Sequence, residues 1–178
     1  MPDVVISEIM YNADGIQDLL GEYIELYNRS GSTVFLFDTA NPSNTWKFTK
    51  GIEFTFPENV NILAGGRVLI SRANPDAFKA ANNLTGVTVY GPFESGTELE
   101  NDGEKIELSM PTEPDPGTGF FSYIRVEQVN YSDGIHPLVG DPWPTSADGR
   151  GDSLNRKVNS DYANDVANWE AAAPTPGS

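Results

Sequence analysis

An acidic stretch near the amino terminus carries the side chains best suited to chemistry. Asn12, Asp14, Asp18 and Glu22 place four oxygen-bearing groups within residues 12–22, and two glycines in the same stretch could supply turns. Hard oxygen ligands at short spacing suit Ca²⁺, although no Glu occupies the twelfth position that an EF-hand loop requires. The pattern therefore predicts either a calcium site or a solvated acidic turn. A second group, Asp161, Asn164 and Asp165, has the same two interpretations, and Asp161 and Asn164 could also be caps of a helix or turn.

Catalytic chemistry has little support in the residue types present. There is no cysteine and a single histidine, His136, which excludes a thiolate nucleophile and a three-histidine zinc site. A Ser-His-Asp arrangement would need His136, and no Gly-x-Ser-x-Gly elbow occurs. Paired carboxylates could act as acid and base, but no pair is distinguished by an apolar surrounding. We predict that the protein is not an enzyme, and a hydrolase is the least favoured alternative.

Residues 149–153 read Gly-Arg-Gly-Asp-Ser and contain an Arg-Gly-Asp string of the adhesive type. Arg150 and Asp152 could bridge a receptor's acidic pocket and its metal. A turn before a strand that begins near Ser153 explains the two glycines equally well. Because three-residue matches are common by chance, the turn is the favoured interpretation.

Two tyrosines suggest a binding function. In the run Gly-Glu-Tyr-Ile-Glu-Leu-Tyr-Asn at residues 21–28, Ile24 and Leu26 alternate with Tyr23, Glu25 and Tyr27. An extended strand places the aliphatic side chains on one face and the tyrosines on the other. If that second face is open, Tyr23 and Tyr27 could form a platform for sugar rings or a partner strand. The alternative places them beneath a loop or the carboxy-terminal tail, with their hydroxyls hydrogen-bonded.

The elements that position these residues are mostly short strands. Strand patterns recur over residues 4–11, 21–28, 34–37, 46–48, 52–56, 67–71, 88–93, 104–109, 120–131 and 153–156, with a loop expected over 41–44. Ile106 and Leu108 repeat the inward pattern of the strand at 21–28. Asn74 before Pro75 predicts a short helix over Pro75–Ala81. We expect Trp143 and Trp169 to pack back on the body, because large apolar groups are unfavourable in water. This set predicts an all-β antiparallel two-sheet sandwich with one or two short helices.

Length and charge limit the partners. At 178 residues the chain predicts one domain spanning 1–178. The formal charge of -15 disfavours nucleic acid and anionic membranes, and no apolar run approaches a membrane span. The start, Met-Pro-Asp, leads directly into a strand without a signal peptide, so we expect the chain to be cut from a longer one.

Several segments, taken in order, resemble the lamin tail domain family, bacterial type. The matching segments lie at residues 6–12, 21–28, 54–57, 101–104, 106–108, 143–144, 147–151, 153–154, 167–169 and 175–177. The resemblance implies an immunoglobulin-like sandwich and a noncatalytic module, which in bacterial members is typically attached to secreted or surface proteins. The DNA contacts of nuclear lamins need a basic surface, and this chain has 26 acids against 11 bases.

The resulting expectation is an interaction or structural spacer module of a larger, exported bacterial protein, extracellular or at the cell surface. Its partner would be a protein or a polysaccharide, without nucleic acid and without membrane insertion. The alternative is a carbohydrate-binding module stabilised by calcium.

Overall fold

Short strands dominate the computed structural model, which describes residues 2–14, 18–135 and 140–178. The strands are β1 (Val4–Met10), β2 (Tyr23–Asn28), β3 (Val34–Phe35), β4 (Phe37–Asp38), β5 (Asn41–Thr45), β6 (Lys47–Lys50), β7 (Phe54–Thr55), β8 (Asn61–Ile62), β9 (Arg67–Ser71), β10 (Val89–Tyr90), β11 (Lys105–Pro111), β12 (Tyr123–Asn130), β13 (Ser153–Arg156) and β14 (Trp169–Ala172). The helices are α1 (Asp18–Gly21) and α2 (Pro75–Ala81), with 3-10 turns at Glu94–Gly96, Thr145–Ala147 and Val166–Asn168.

Two main sheets form the sandwich. The larger has the strand order β10-β9-β2-β1-β13-β14, and the smaller has the order β12-β11-β6-β7. Two small ribbons, β3 with β8 and β4 with β5, accompany them. The strand pairs are antiparallel except β9 with β10. The predicted all-β, immunoglobulin-like sandwich is confirmed.

The main core lies between the two sheets. Ile24 and Leu26 of β2 and Ile106 and Leu108 of β11 are fully buried, which confirms the inward face predicted from their alternation. Aromatic rings of the smaller sheet fill the space beside them, and Phe54 and Phe56 meet edge to face at 5.1 Å. Full burial of each such side chain contributes about 1.5–3 kcal/mol.

The second face of the larger sheet is also covered at Tyr23, which agrees with the interpretation that places this tyrosine beneath another part of the chain. Helix α2 packs Phe78 against Tyr23, with their ring centroids 5.6 Å apart. The helix begins as predicted, because the Asn74 side chain accepts hydrogen bonds from the amides of Asp76 (3.0 Å) and Ala77 (3.4 Å). The alternation along β2 correctly separated the Ile24 face from the Tyr23 face, but it does not indicate what packs on the Tyr23 face.

The carboxy-terminal segment packs on the body, as the tryptophans predicted. The rings of Trp143 and Trp169 lie 6.2 Å apart, and both residues are buried. The indole N–H of Trp169 donates to the carbonyl of Ala163 at 2.7 Å. The polar end of this large ring is therefore satisfied inside the protein.

Two local predictions need correction. The strand expected over 34–37 divides at Leu36, whose amide donates to Val60 and whose carbonyl accepts from Trp46, both at 2.9 Å. The loop expected over 41–44 is wrong, since residues 41–45 form β5 and pair with β4. No helix in the described ranges is long and apolar enough to cross a membrane.

Candidate functional site

Four glutamates of this acidic chain lie in its interior: Glu8, Glu22, Glu25 and Glu127. A carboxylate pays a large desolvation cost on burial unless it is paired or hydrogen-bonded. Their partners therefore show whether these groups are available for chemistry or are used by the fold.

Glu8 of β1 holds the carboxy-terminal tail onto the sheet. One of its oxygens accepts hydrogen bonds from the Tyr23 hydroxyl (2.5 Å), the Ser153 hydroxyl (2.5 Å) and the Thr175 amide (2.9 Å). The other oxygen accepts from the Thr175 hydroxyl at 3.1 Å. Both oxygens are thus occupied by donors from the fold.

Glu25 lies opposite Glu8 on the neighbouring strand and binds the same tail. It accepts from the Ser7 hydroxyl (2.6 Å), the Arg67 guanidinium (2.9 Å) and the Gly177 amide (2.8 Å). Burial raises the pKa of Glu25, and these three donors oppose that rise. The two carboxylates together fasten residues 175–177 across β1 and β2.

Glu22 and Asp18, two of the predicted calcium ligands, contact the same arginine. Glu22 lies 2.5 Å and Asp18 3.3 Å from the Arg72 guanidinium, which also pairs with Glu98. The second Glu22 oxygen accepts from the Leu99 amide at 2.9 Å. Burial raises the pKa of Glu22 to about 8, while the Leu99 amide and Arg72 act in the opposite direction.

The other two predicted calcium ligands are Asn12 and Asp14. The side-chain amide of Asn12 donates to the Asp148 carboxylate at 2.6 Å, and Asp14 is exposed. Gly15 lies outside the described residues. Within residues 2–14, 18–135 and 140–178, no three acidic or histidine side chains are arranged to hold a metal ion. Calcium binding at Asn12, Asp14, Asp18 and Glu22 stays a prediction.

The second acidic group serves local backbone structure. The Asn164 side chain accepts from the Asn130 amide at 2.6 Å, at the end of β12, and the Asp165 carboxylate accepts from the Ala167 amide at 3.0 Å. Asp161 contributes its carbonyl to the Arg156 guanidinium at 2.5 Å. Asp165 caps the 3-10 turn at Val166–Asn168. Asp161 and Asn164, the two predicted caps, make the contacts given above instead.

The tyrosines do not form the exposed pair that a sugar platform requires. Tyr23 is 1% exposed, beneath α2 and the tail. Tyr27 is half-buried, and the Arg67 guanidinium lies 4.3 Å from its ring centroid. Of the two interpretations, the covered ring with a bonded hydroxyl describes Tyr23. Sugar binding through Tyr23 and Tyr27 stays a prediction that the burial of Tyr23 opposes.

The Arg-Gly-Asp string forms a turn, as the favoured interpretation predicted. Gly149 and Gly151 have φ angles of +64° and +88°, a region that glycine adopts without strain. Arg150 is exposed and Asp152 half-buried. Adhesion through this string stays a prediction. His136 lies outside the described residues.

A buried ion pair that the sequence analysis missed joins the two sheets. Glu127 of β12 lies 2.9 Å from Arg156 of β13, and both are almost inaccessible. Glu127 also accepts from the Ile6 amide (2.5 Å), and Arg156 donates to the Ile6 carbonyl (3.1 Å). Burial raises the pKa of Glu127, opposed by Arg156 and the Ile6 amide. The signal for this pair was the alternation that places Glu127 on the same face as buried Val129.

Beside this pair lies an accessible depression, here called the edge groove. It consists of two hollows of about 440 and 280 Å³ that share Pro2, Arg125 and Val126. Trp46 and Met110 line the larger hollow, and Tyr162 lines the smaller one. The edge groove follows β12, the outermost strand of the smaller sheet. Apolar walls with a few polar groups are typical of surfaces that bind other molecules.

The comparisons with known proteins identify a family. The family described as Lamin Tail Domain matches residues 1–115, well over half of the chain. Searches among curated proteins and among solved structures give no match. The resembling segments at residues 6–12, 21–28, 54–57 and 101–108 lie inside the matched range, and the immunoglobulin-like sandwich is the fold of this family. The chain therefore belongs to the lamin tail domain family.

Proposed function

We propose that this chain is a noncatalytic interaction or structural spacer module of a larger bacterial protein that is exported and acts outside the cell or at its surface. Membership of the lamin tail domain family supports the module as such. The observation that carries the proposal is that the buried carboxylates already bind donors within the protein. Each of the four glutamates in the interior is bound to donors of the fold itself.

The geometry of these glutamates argues against acid-base catalysis by them. A general acid or base must reach the proton of a substrate within hydrogen-bonding distance. Glu8 and Glu25 lie beneath the tail, and Glu127 is enclosed with Arg156. Assays with generic ester and glycoside substrates should therefore show no turnover, and turnover that Glu8→Gln abolishes would contradict the proposal.

The edge groove supports the interaction function. It is a partly apolar depression beside a strand edge that is unpaired in the described part of the chain, and such edges are a common place for another chain to bind. Strand addition is a contact between polypeptide backbones, so a partner bound at this edge would be a protein.

Mass spectrometry and fractionation of the source cells test attachment and export. We expect residues 1–178 to occur within a longer polypeptide in the extracellular or cell-surface fraction. A mature product bounded at 1 and 178, or one confined to the cytoplasm, would contradict these parts of the proposal.

Carbohydrate binding with calcium is the alternative function, and one pair of measurements addresses it. A glycan array and a polysaccharide pull-down should show no specific retention, because Tyr23 is buried. Retention that is lost on Tyr27→Ala would favour the alternative. Melting with millimolar Ca²⁺ and with a chelator tests the calcium ligands, and a calcium-dependent rise that Asp14→Asn removes would support them.

A further inference from the structure

We propose that the edge groove binds an extended, basic peptide segment of a partner protein, which adds as a new strand to β12. This inference rests on the proposed interaction function and names the chemistry of the partner. Three features carry it: the free backbone edge of β12, the fixed gap between β12 and β1, and the charge of the chain.

The register of β12 directs backbone groups toward its free side. The Thr112 amide donates to the Ser122 carbonyl at 2.7 Å, and regular pairing continues to Ser109 opposite Arg125. Antiparallel pairs alternate between hydrogen-bonded and non-hydrogen-bonded types. By this alternation the peptide N–H and C=O of Arg125 point away from β11. No strand lies on that side in the described part of the chain.

The ion pair lies at the inner end of the space between β12 and β1. Strand β13 pairs with β1 only at Glu8 and Ile9, so the first half of β1 has no strand on this side. Glu127 and Arg156 bind the Ile6 backbone where a neighbouring strand would otherwise do so. Side chains, and not a strand, therefore occupy the inner end of this space.

The walls of the groove suit an aliphatic side chain. Val126 and Met110 are half-buried and Trp46 is buried, and they face a hollow of about 440 Å³. Tyr162, 66% exposed, stands at the other end. Alternate side chains of an added strand point to the same side, so an aliphatic residue can enter the hollow while its neighbours stay in solvent.

Charge selects a basic partner over a second copy of this chain. The formal charge of -15 attracts cationic segments and repels an identical molecule. The charged residues that line the groove are Arg125, Asp3 and Glu127, and Glu127 is already paired with Arg156. Basic residues are therefore best placed at the ends of the peptide, away from Arg125.

The probe is the synthetic peptide Lys-Lys-Val-Thr-Val-Thr-Val-Lys-Lys, in which the basic residues lie at the two ends. It is titrated into ¹⁵N-labelled protein and followed by amide chemical shifts. We expect saturable shifts in residues 123–128 and 2–4, and affinity that falls as salt is added. Two control peptides carry N-methyl groups on alternate residues. In one peptide the methyl groups block the first edge of the strand, and in the other they block the opposite edge. At least one of them should bind about tenfold more weakly, since it cannot form the hydrogen bonds of a strand pair.

A protein variant tests the same edge from the other side. Arg125→Pro removes an outward N–H on an edge strand, where proline is tolerated, and should reduce peptide affinity by about tenfold. Leu63→Ser is the matched control, because Leu63 is exposed and not among the residues lining the groove, and it should bind normally. The N-methylated peptides keep the test decisive if Arg125→Pro does not fold.

Three outcomes would overturn the proposal. Equal binding of the parent and both N-methylated peptides would exclude strand addition. Equal binding of a peptide with Glu in place of Lys would exclude the basic partner. A dimer in light scattering that Arg125→Pro abolishes would assign the edge to a second copy. None of these results bears on enzyme activity or sugar retention, which test the proposed function separately.

Discussion

The Glu22 carboxylate lies 2.5 Å from the Arg72 guanidinium and is completely inaccessible to solvent. Arg72 itself is partly exposed and also contacts Asp18 and Glu98. One cation therefore serves three acids, and the most buried of them has a pKa of about 8. This relationship makes the stability of the protein sensitive to pH and to the arginine.

The pH dependence follows from the direction of the Glu22 shift. The carboxyl has a pKa of about 8 when folded and 4.5 as an unperturbed group. Between these values the folded state holds the extra proton, so stability is highest near the lower pH and is lost as pH rises toward 8. The limiting slope is about 1.4 kcal/mol per pH unit. Urea unfolding from pH 5 to 8 should show a shallower slope for Glu22→Gln, and identical slopes would contradict this assignment.

Removal of the arginine should be costly above pH 8, where the Glu22 carboxyl is ionised. At pH 9, Arg72→Met leaves the Glu22 carboxylate buried without its cation, and breaking such a pair costs about 3–5 kcal/mol. The loss should be smaller at pH 5, where Glu22 is protonated. Chemical denaturation of Glu22→Gln, of Arg72→Met and of the variant that carries both substitutions measures these losses of stability. We expect the double variant to recover part of the stability, and strictly additive losses would show that the pair is not coupled.

The tail contact can be tested at one glycine. Gly177 has φ +87°, and a Cβ there would lie 2.6 Å from a Val87 methyl group. Gly177→Ala should destabilise the fold by about 1–3 kcal/mol through strain and displacement of the tail from Glu25. Gly140→Ala is the matched control, with φ +94° and open space around it. Thermal unfolding should show a larger loss for Gly177→Ala, and equal losses would mean that the tail contact adds nothing.

Helix α2 depends on its cap. Asn74→Ala removes the acceptor for the amides of Asp76 and Ala77 and should cost about 1 kcal/mol. Asn74→Asp keeps an acceptor and should leave stability nearly unchanged. Urea denaturation compares the two, and an equal loss in both variants would assign the effect to something other than the cap.

The features that could be predicted depend on interactions between residues that are close together along the chain. The inward faces of β2 and β11 and the start of α2 were correct, because alternation and capping act between residues close in the chain. Whether the face of Tyr23 is open or covered could not be decided from the sequence, because α2, which packs Phe78 on Tyr23, comes from far along the chain. The loop expected at 41–44 was wrong because pairing with β4 overrides the turn preference of Asn and Pro.

The amino-acid sequence by itself determined the family, the sandwich of short strands, the acidic charge and the lack of cysteine chemistry. Only the tertiary structure decided that Glu8 and Glu25 bind the tail, that Arg72 holds Glu22, and that Glu127 with Arg156 leaves a groove beside β12. The physical reason is that strand alternation is a local property of the backbone. The partner of a buried charge, in contrast, is selected by which distant segments the fold brings within hydrogen-bonding distance.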